Sequence, residues 1–222
     1  MNNINKYVEH TLLKPDATKV ALDKLLNEAI ENDFLGVCVN PINVKYAKNF
    51  LKNTNVKVVT VIGFPLGANL SEIKAMEAQM AVADGADEVD MVINISALKD
   101  GYDDVVMSDI QKVVNASADK PVKVIIETDL LTKEEIERAT HIVGKSGAKF
   151  VKTSTGFVKG GVGAKVEDVK IMAEIAQKYG ILVKASGGIK TFVDAKQLIE
   201  AGASRLGTSS GVQIIEGAKI DV

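Results

Sequence analysis

The sequence predicts a (β/α)8 barrel, the TIM-barrel architecture, as a single domain over residues 1–222, and three observations point there. Short β-branched runs alternate with longer helical patterns along the whole chain, the order of a parallel sheet with crossover helices. Eight such units of a little under 30 residues each suit a compact barrel, whose typical length is about 250 residues. No Pro- or Ser-rich linker interrupts the alternation. The competing architecture, an open doubly wound sheet, would be favoured by a Gly-x-Gly-x-x-Gly after the first strand, and none stands there.

The elements follow in order. Val8 to Leu12 reads as the first strand, and Leu22, Leu25, Leu26, Ala29 and Ile30 then recur at helical spacing, offering one apolar stripe to a sheet. Gly36 to Asn40 and Lys57 to Ile62 are the second and third strands, and the Met76 and Met80 pair that follows reads as core packing. Glu88 to Asn94, Val122 to Glu127 and Phe150 to Ser154 are the fourth to sixth. Val169, Met172, Ala173 and Ala176 mark another covering helix, before strands at Ile181 to Ser186 and Arg205 to Ser209. A weak repeat marks three helix-to-strand handovers, at Asp84–Val89, Ser146–Val151 and Ala201–Leu206. In each, a glycine is placed to take the left-handed conformation that ends a helix.

Composition narrows the function. A net charge of -2, a quarter of positions charged and 46% hydrophobic residues describe a soluble globular protein. Cys38 is the sole cysteine, so no internal disulfide is expected, and with only His10 and His141 no Cys/His zinc cluster can be assembled. A reducing cytoplasm is the expected location. Met1 to Lys6 is Asn-rich and polar and does not read as a signal peptide. Val56 to Leu66 is far shorter than the ~20 apolar residues of a membrane helix and is broken by Gly63 and Pro65, so no membrane partner is expected. Scattered charges and the absence of tryptophan leave no basic stripe interleaved with aromatics, so no nucleic-acid partner is expected either.

Strand residues alternate faces, so the apolar set that faces the helices identifies the inward set. Val89, Met91 and Ile93 go out, leaving Asp90, Val92 and Asn94 inward. Val151 goes out and Lys152 in; Ile181, Val183 and Ala185 go out, and Leu182, Lys184 and Ser186 in. Lys123, Ile125 and Glu127 also face in, as do Cys38 and Asn40. A barrel interior is ordinarily packed with branched apolar side chains, and an unpaired buried charge costs several kcal/mol, so Asp90, Lys152 and Lys184 near the C-terminal rim should be partnered or functional. The bland account is an ion pair between Asp90 and one lysine, with the other reaching solvent.

Two neighbouring lysines suggest a Schiff base. A free lysine is only about 0.04% neutral at pH 7, and a nearby ammonium with partial burial raises the reactive neutral fraction. Parity alone leaves the choice between Lys152 and Lys184 open; Lys123, at the start of its strand, qualifies less well. The loops Ser186–Ile189 and Gly207–Gly211 follow strands seven and eight, where such barrels bind phosphate, and Gly156 to Gly163 follows strand six as a candidate lid. Cys38 reads as a small core residue, His10 points toward the helices, and His141 lies in a helix.

These segments carry a resemblance over essentially the whole chain. His10–Pro15, Val37–Pro41, Thr60–Gly67, Glu88–Asn94, Val124–Thr128, Phe150–Phe157 and Val183–Ile189 together resemble the deoxyribose-phosphate aldolase family, class I Schiff-base aldolases on a (β/α)8 barrel. The resemblance implies that Lys152, in Lys-Thr-Ser-Thr-Gly, forms the Schiff base, with Lys184 and Asp90 tuning it and relaying protons. It implies reversible cleavage of 2-deoxy-D-ribose 5-phosphate to D-glyceraldehyde 3-phosphate and acetaldehyde in deoxyribonucleoside catabolism, with no metal or other cofactor. The 5-phosphate is expected on Gly156, Gly187, Gly188, Ser209 and Ser210, with Lys159 or Lys190 as counter-charge. A homodimer is the family's common assembly, although no exposed apolar patch is legible.

Four departures stand out: the loop from Gly156 to Asp168 is a little longer than the family's common form, which bears on its phosphate contacts; the tail after Gly217 lacks the tyrosine that takes part in proton transfer in some members; and two more concern single residues. Glu9 replaces the aspartate of the family's usual Asp-His-Thr-Leu and is expected to alter at most an early-strand contact; Lys190 stands where arginine often follows Ser-Gly-Gly-Ile. A Schiff-base aldolase or transaldolase for another phosphorylated sugar, and a catalytically silent phospho-sugar-binding module, are the alternative functions.

Overall fold

All eight expected strands form and pair in parallel, in sequence order, and the first closes onto the last. The computed structural model describes residues 3–220; Met1 and Asn2 of the polar N-terminal segment and the last two residues of the expected 1–222 domain lie outside the described residues. The order is β1 (Val8–Leu12), α1 (Lys19–Glu31), β2 (Gly36–Val39), α2 (Val44–Phe50), β3 (Lys57–Ile62), α3 (Ser71–Ala83), β4 (Glu88–Val92), α4 (Ile95–Lys99), α5 (Asp103–Ala116), β5 (Val122–Ile125), α6 (Lys133–Lys145), β6 (Phe150–Lys152), α7 (Val166–Tyr179), β7 (Leu182–Ser186), α8 (Phe192–Glu200), β8 (Ala203–Thr208) and α9 (Gly211–Ile220). Among the described residues no helix is long and apolar enough to cross a membrane.

Strand ends differ from expectation where local chemistry takes over. β4 stops at Val92 because Asn94 turns to cap α4, its side chain accepting from Ala97 N at 3.1 Å. β5 stops at Ile125 because Glu127 takes a left-handed backbone, φ +62°. β6 ends at Lys152, two residues early, and β8 runs from Ala203 to Thr208. The three handover glycines, Gly85, Gly147 and Gly202, all have positive φ, as their position predicted.

Two apolar layers match the two strand faces. Val37, Val39, Val89, Met91, Val124, Val151, Val183 and Ala185 pack outward against the helices. Inside the barrel Leu13, Cys38, Val59 and Val61 form a smaller cluster with Phe64 against it. Leu22, Leu25, Leu26 and Ala29 are buried as expected on α1, whereas Ile30 is partly out in solvent. Leu182, expected inside, is 45% exposed at the open bottom end of its strand.

The expectation for Met76 and Met80 is wrong. α3 turns Lys74, Ala78 and Ala81 inward, at i, i+4 and i+7, which leaves Met76 58% and Met80 64% exposed. With Ile73, Leu70 and Leu66, also exposed, they form an outward apolar stripe that was not legible beforehand. Lys74 takes the inward position because it finds partners there: its ammonium bonds Asp109 on α5 at 2.7 Å and the Val92 carbonyl at 2.9 Å.

Candidate active site

The parallel register brings the inward charges together. Asp90 pairs in register with Lys123, Ile125 with Lys152, and Lys152 with Lys184, so residues on β4, β5, β6 and β7 converge in the barrel. Lys152 Nζ and Lys184 Nζ both donate to Asp90 Oδ2 at 2.7 Å, and Lys123 Nζ donates to Oδ1 at 2.9 Å. The sequence-predicted trio is thus one contact network, and neither Lys152 nor Lys184 reaches out to solvent.

The network extends to residues that sequence reasoning undervalued. Glu9 is fully buried; one oxygen bonds Lys184 and the other lies 3.4 Å from Lys123 and 3.7 Å from Arg205. Its departure from the family pattern therefore concerns a member of the charge network and not merely an early-strand contact. Parity had the signal, since His10 faces outward, bonded to Glu28 of α1 at 2.8 Å, and its neighbour must face in. Glu88, one inward step below Asp90, contacts Lys123 at 2.7 Å and half-exposed Lys57 at 2.6 Å. Three buried carboxylates, Glu9, Glu88 and Asp90, thereby face three buried lysines, Lys123, Lys152 and Lys184. Such balance is what permits burial, because an uncompensated charge in this interior would cost several kcal/mol.

Within that balance the lysines differ. Burial pulls each toward neutrality, but Asp90 and Glu9 outweigh it at Lys184 and Lys123, whose pKa values are raised. At Lys152 burial prevails over the attraction of Asp90, aided by repulsion from Lys184, and the pKa falls below the usual lysine range. Burial would push the Asp90 carboxyl up, yet Lys123, Lys152 and Lys184 together hold it well below its ordinary value.

Above this network lies a cavity of about 440 Å³ lined by the ends of strands and the loops that follow them, in four segments: Thr11–Lys14, Ser154–Phe157, Ser186–Lys190 and Gly207–Ser210. Of the three lysines on Asp90, only Lys152 lines it. All five expected phosphate residues, Gly156, Gly187, Gly188, Ser209 and Ser210, line the same cavity. Ser210 N already donates to Thr208 Oγ1 at 2.9 Å, so its hydroxyl is the freer group. Lys190 lines the cavity and so does Lys14, which sequence reasoning missed; exposed Lys159 is not among the lining residues. The glycines also meet a packing need. A Cβ on Gly163 would lie 2.4 Å from the Gly187 backbone, and one on Gly188 2.2 Å from the Val162 carbonyl oxygen, because the loops after β6 and β7 cross in contact.

A buried amine of lowered pKa, opening on a cavity and hydrogen-bonded to a carboxylate shared with a second ammonium, is equipped to form an imine and to pass protons. Comparison with known proteins agrees in kind. The family profile described as DeoC/LacD family aldolase matches residues 6–217. The chain is 57% identical over 216 residues to the deoxyribose-phosphate aldolase of Staphylococcus carnosus, covering 97% of each chain. It is 55% identical over 215 residues to that of Streptococcus gordonii, covering 96% of each. Among solved structures, a tetrameric deoxyribose phosphate aldolase from Aeropyrum pernix superposes with a TM-score of 0.91 at 32% identity, over 99% of this chain and 92% of that one.

Proposed function

The chain belongs to the DeoC/LacD family of aldolases, and from that premise we propose that it is a deoxyribose-phosphate aldolase whose Schiff-base lysine is Lys152. It cleaves 2-deoxy-D-ribose 5-phosphate reversibly to D-glyceraldehyde 3-phosphate and acetaldehyde. One observation carries the residue assignment: of the three lysines bonded to Asp90, Lys152 alone opens on the cavity, and its pKa is lowered while those of the other two are raised.

The neutral Lys152 amine attacks the C1 aldehyde of the open-chain sugar, and the carbinolamine loses water to a protonated imine. That cation draws the electrons of the breaking C2–C3 bond into an enamine while the C3 hydroxyl gives up its proton, releasing D-glyceraldehyde 3-phosphate. Protonation at C2 and hydrolysis then return acetaldehyde and the free amine. Asp90, in contact with both lysines, with Lys184 and a water, handles these proton transfers. The positive charge on the Lys152 nitrogen disappears as the enamine forms, so one of the charges suppressing Asp90's basicity is withdrawn in the step that needs a base. The 5-phosphate rests on backbone groups of Gly156, Gly187 and Gly188 and the hydroxyls of Ser209 and Ser210, flanked by Lys14 and Lys190. No metal or cofactor enters any step.

The same reading includes a cytoplasmic enzyme that acts as a homodimer, for which the stripe of Leu66, Leu70, Ile73, Met76 and Met80 supplies an apolar contact face. The chemistry is tested by borohydride trapping with acetaldehyde, followed by intact and peptide mass spectrometry on the native protein and Lys152→Ala. A reduced two-carbon adduct on Lys152, absent from the variant, is expected. Adducts confined to Lys184 or surface lysines would remove the assignment, and no adduct at all would favour a phospho-sugar-binding module.

A further inference from the structure

The loop from Thr155 to Gly163 holds glycines at 156, 160, 161 and 163, a composition that costs the most backbone entropy to order. Two carboxylates outside the cavity hold it. Glu127 accepts from Thr155 N at 3.1 Å and from the Thr155 hydroxyl, and that hydroxyl accepts from Phe157 N at 3.0 Å. At the other end Asp129 accepts from Val162 N at 3.2 Å and Gly163 N at 2.7 Å. Both carboxylates belong to one short 3-10 turn, Thr128–Leu130, Glu127 at its N-cap and Asp129 within it, and the turn is itself fixed to the residue after β6 by Thr128 N donating to the Thr153 carbonyl at 2.9 Å.

Glu127 sits in this position against two local preferences. The residue is only 2% exposed, and its backbone lies at φ +62°, ψ +66°, a region that residues other than glycine rarely occupy. Such a conformation persists where the surroundings over-determine it, and the only hydrogen bonds its side chain makes among the described residues are those to Thr155. Gly161 shows how closely the opposite anchor fits: a Cβ there would lie 2.7 Å from Asp129 Oδ2.

We propose that Glu127 and Asp129 are positioning residues that clamp both ends of this loop and thereby set the preference for a phosphorylated substrate. The proposal rests on the aldolase reading above for the identity of that substrate. Neither carboxylate lines the catalytic cavity, but Thr155, Gly156 and Phe157 do, and the clamp fixes the chain on both sides of the Gly156 N–H assigned to phosphate. It also fixes cavity-lining Phe157, whose ring meets Phe64 edge-on at 5.1 Å. Ordering the donors before the ligand arrives removes that cost from binding.

Asp129→Asn and Glu127→Gln keep the shape and lose the charge, and a charge-assisted hydrogen bond is worth about tenfold or more in an equilibrium. KM for 2-deoxyribose 5-phosphate is expected to rise about tenfold with kcat within about twofold, while KM for unphosphorylated 2-deoxyribose stays put. Deuterium uptake in peptides covering residues 156–163 should rise, and stabilisation by inorganic phosphate should fall. Should either variant fail to fold, Gly161→Ala, on an exposed stretch, strains the same anchor and should give the same pattern. Equal rises of KM for both substrates, or unchanged uptake and phosphate stabilisation, would overturn the clamp. If the native protein cleaves neither sugar the aldolase reading fails by itself, and uptake and phosphate stabilisation still decide the clamp.

Discussion

Glu9 illustrates how one residue controls another through a third. Its carboxylate touches Lys184 and approaches Lys123, and it reaches Lys152 only through their shared partner Asp90. Removing its charge in Glu9→Gln leaves the interior with excess positive charge, which disfavours the ammonium form of Lys152 further. The acid limb of the kcat/KM profile should therefore move to lower pH, and stability should fall by about 3–5 kcal/mol because two buried ammoniums lose a partner. Lys184→Leu should act in the opposite direction on Lys152. With the repelling ammonium gone, the Lys152 pKa rises, the acid limb moves to higher pH, and kcat falls about a hundredfold or more with the proton relay. Profiles that shift in the same direction for both variants would contradict this coupling. Strand parity made Asp90, Lys152 and Lys184 legible, and it held equally for Glu9 and Glu88. Those two were passed over because near the start of a strand an acid reads as a surface residue, and only closure of the barrel shows that the charges meet.

At the scale of elements, the alternating pattern located every strand but not where each one ends. Strands end where a side chain makes a better local bond, as Asn94 does in capping α4, or where the backbone inverts, as at Glu127. Neither event leaves a periodic trace. α3 misled for a related reason: its large apolar residues suggested the buried face, whereas alanines and the Lys74–Asp109 pair occupy it. Small inward residues let α3 approach α5 closely and leave the methionines outside. If this stripe joins two copies of the chain, placing a charge on both methionines should divide them. Met76→Glu with Met80→Glu is expected to sediment as a monomer at concentrations where the native protein is a dimer, with an unchanged circular dichroism spectrum. A native protein that sediments as a monomer throughout would dismiss the dimer.

For the whole molecule, eight similar units predicted a closed barrel, but how neighbouring loops tie to one another along its rim rests on individual side chains and was not legible. Closure also places the charge network at the centre of the fold, so stability should follow its titration. Asp90 and Glu88 have lowered pKa values, so the stability they add is present above their unfolded values, 3.8 and 4.5, and is lost as pH falls through the lower folded ones. Lys123 and Lys184 have raised values, so their contribution is present below 10.5 and is lost as pH rises through the still higher folded values. Lys152 has the opposite sign: burial disfavours its ammonium, so its cost to the fold is complete below its lowered folded value and is relieved as pH rises from there toward 10.5. Urea midpoints should therefore form a broad plateau, falling on the acid side below about pH 4 and on the alkaline side above about pH 10.5. Asp90→Asn separates this account from general charge repulsion. It removes the anion common to all three lysines, lowers their folded pKa values, and should both reduce stability at neutral pH and flatten the alkaline decline. A variant curve that runs parallel to the native one at every pH would mean that the central network does not govern the titration of the fold.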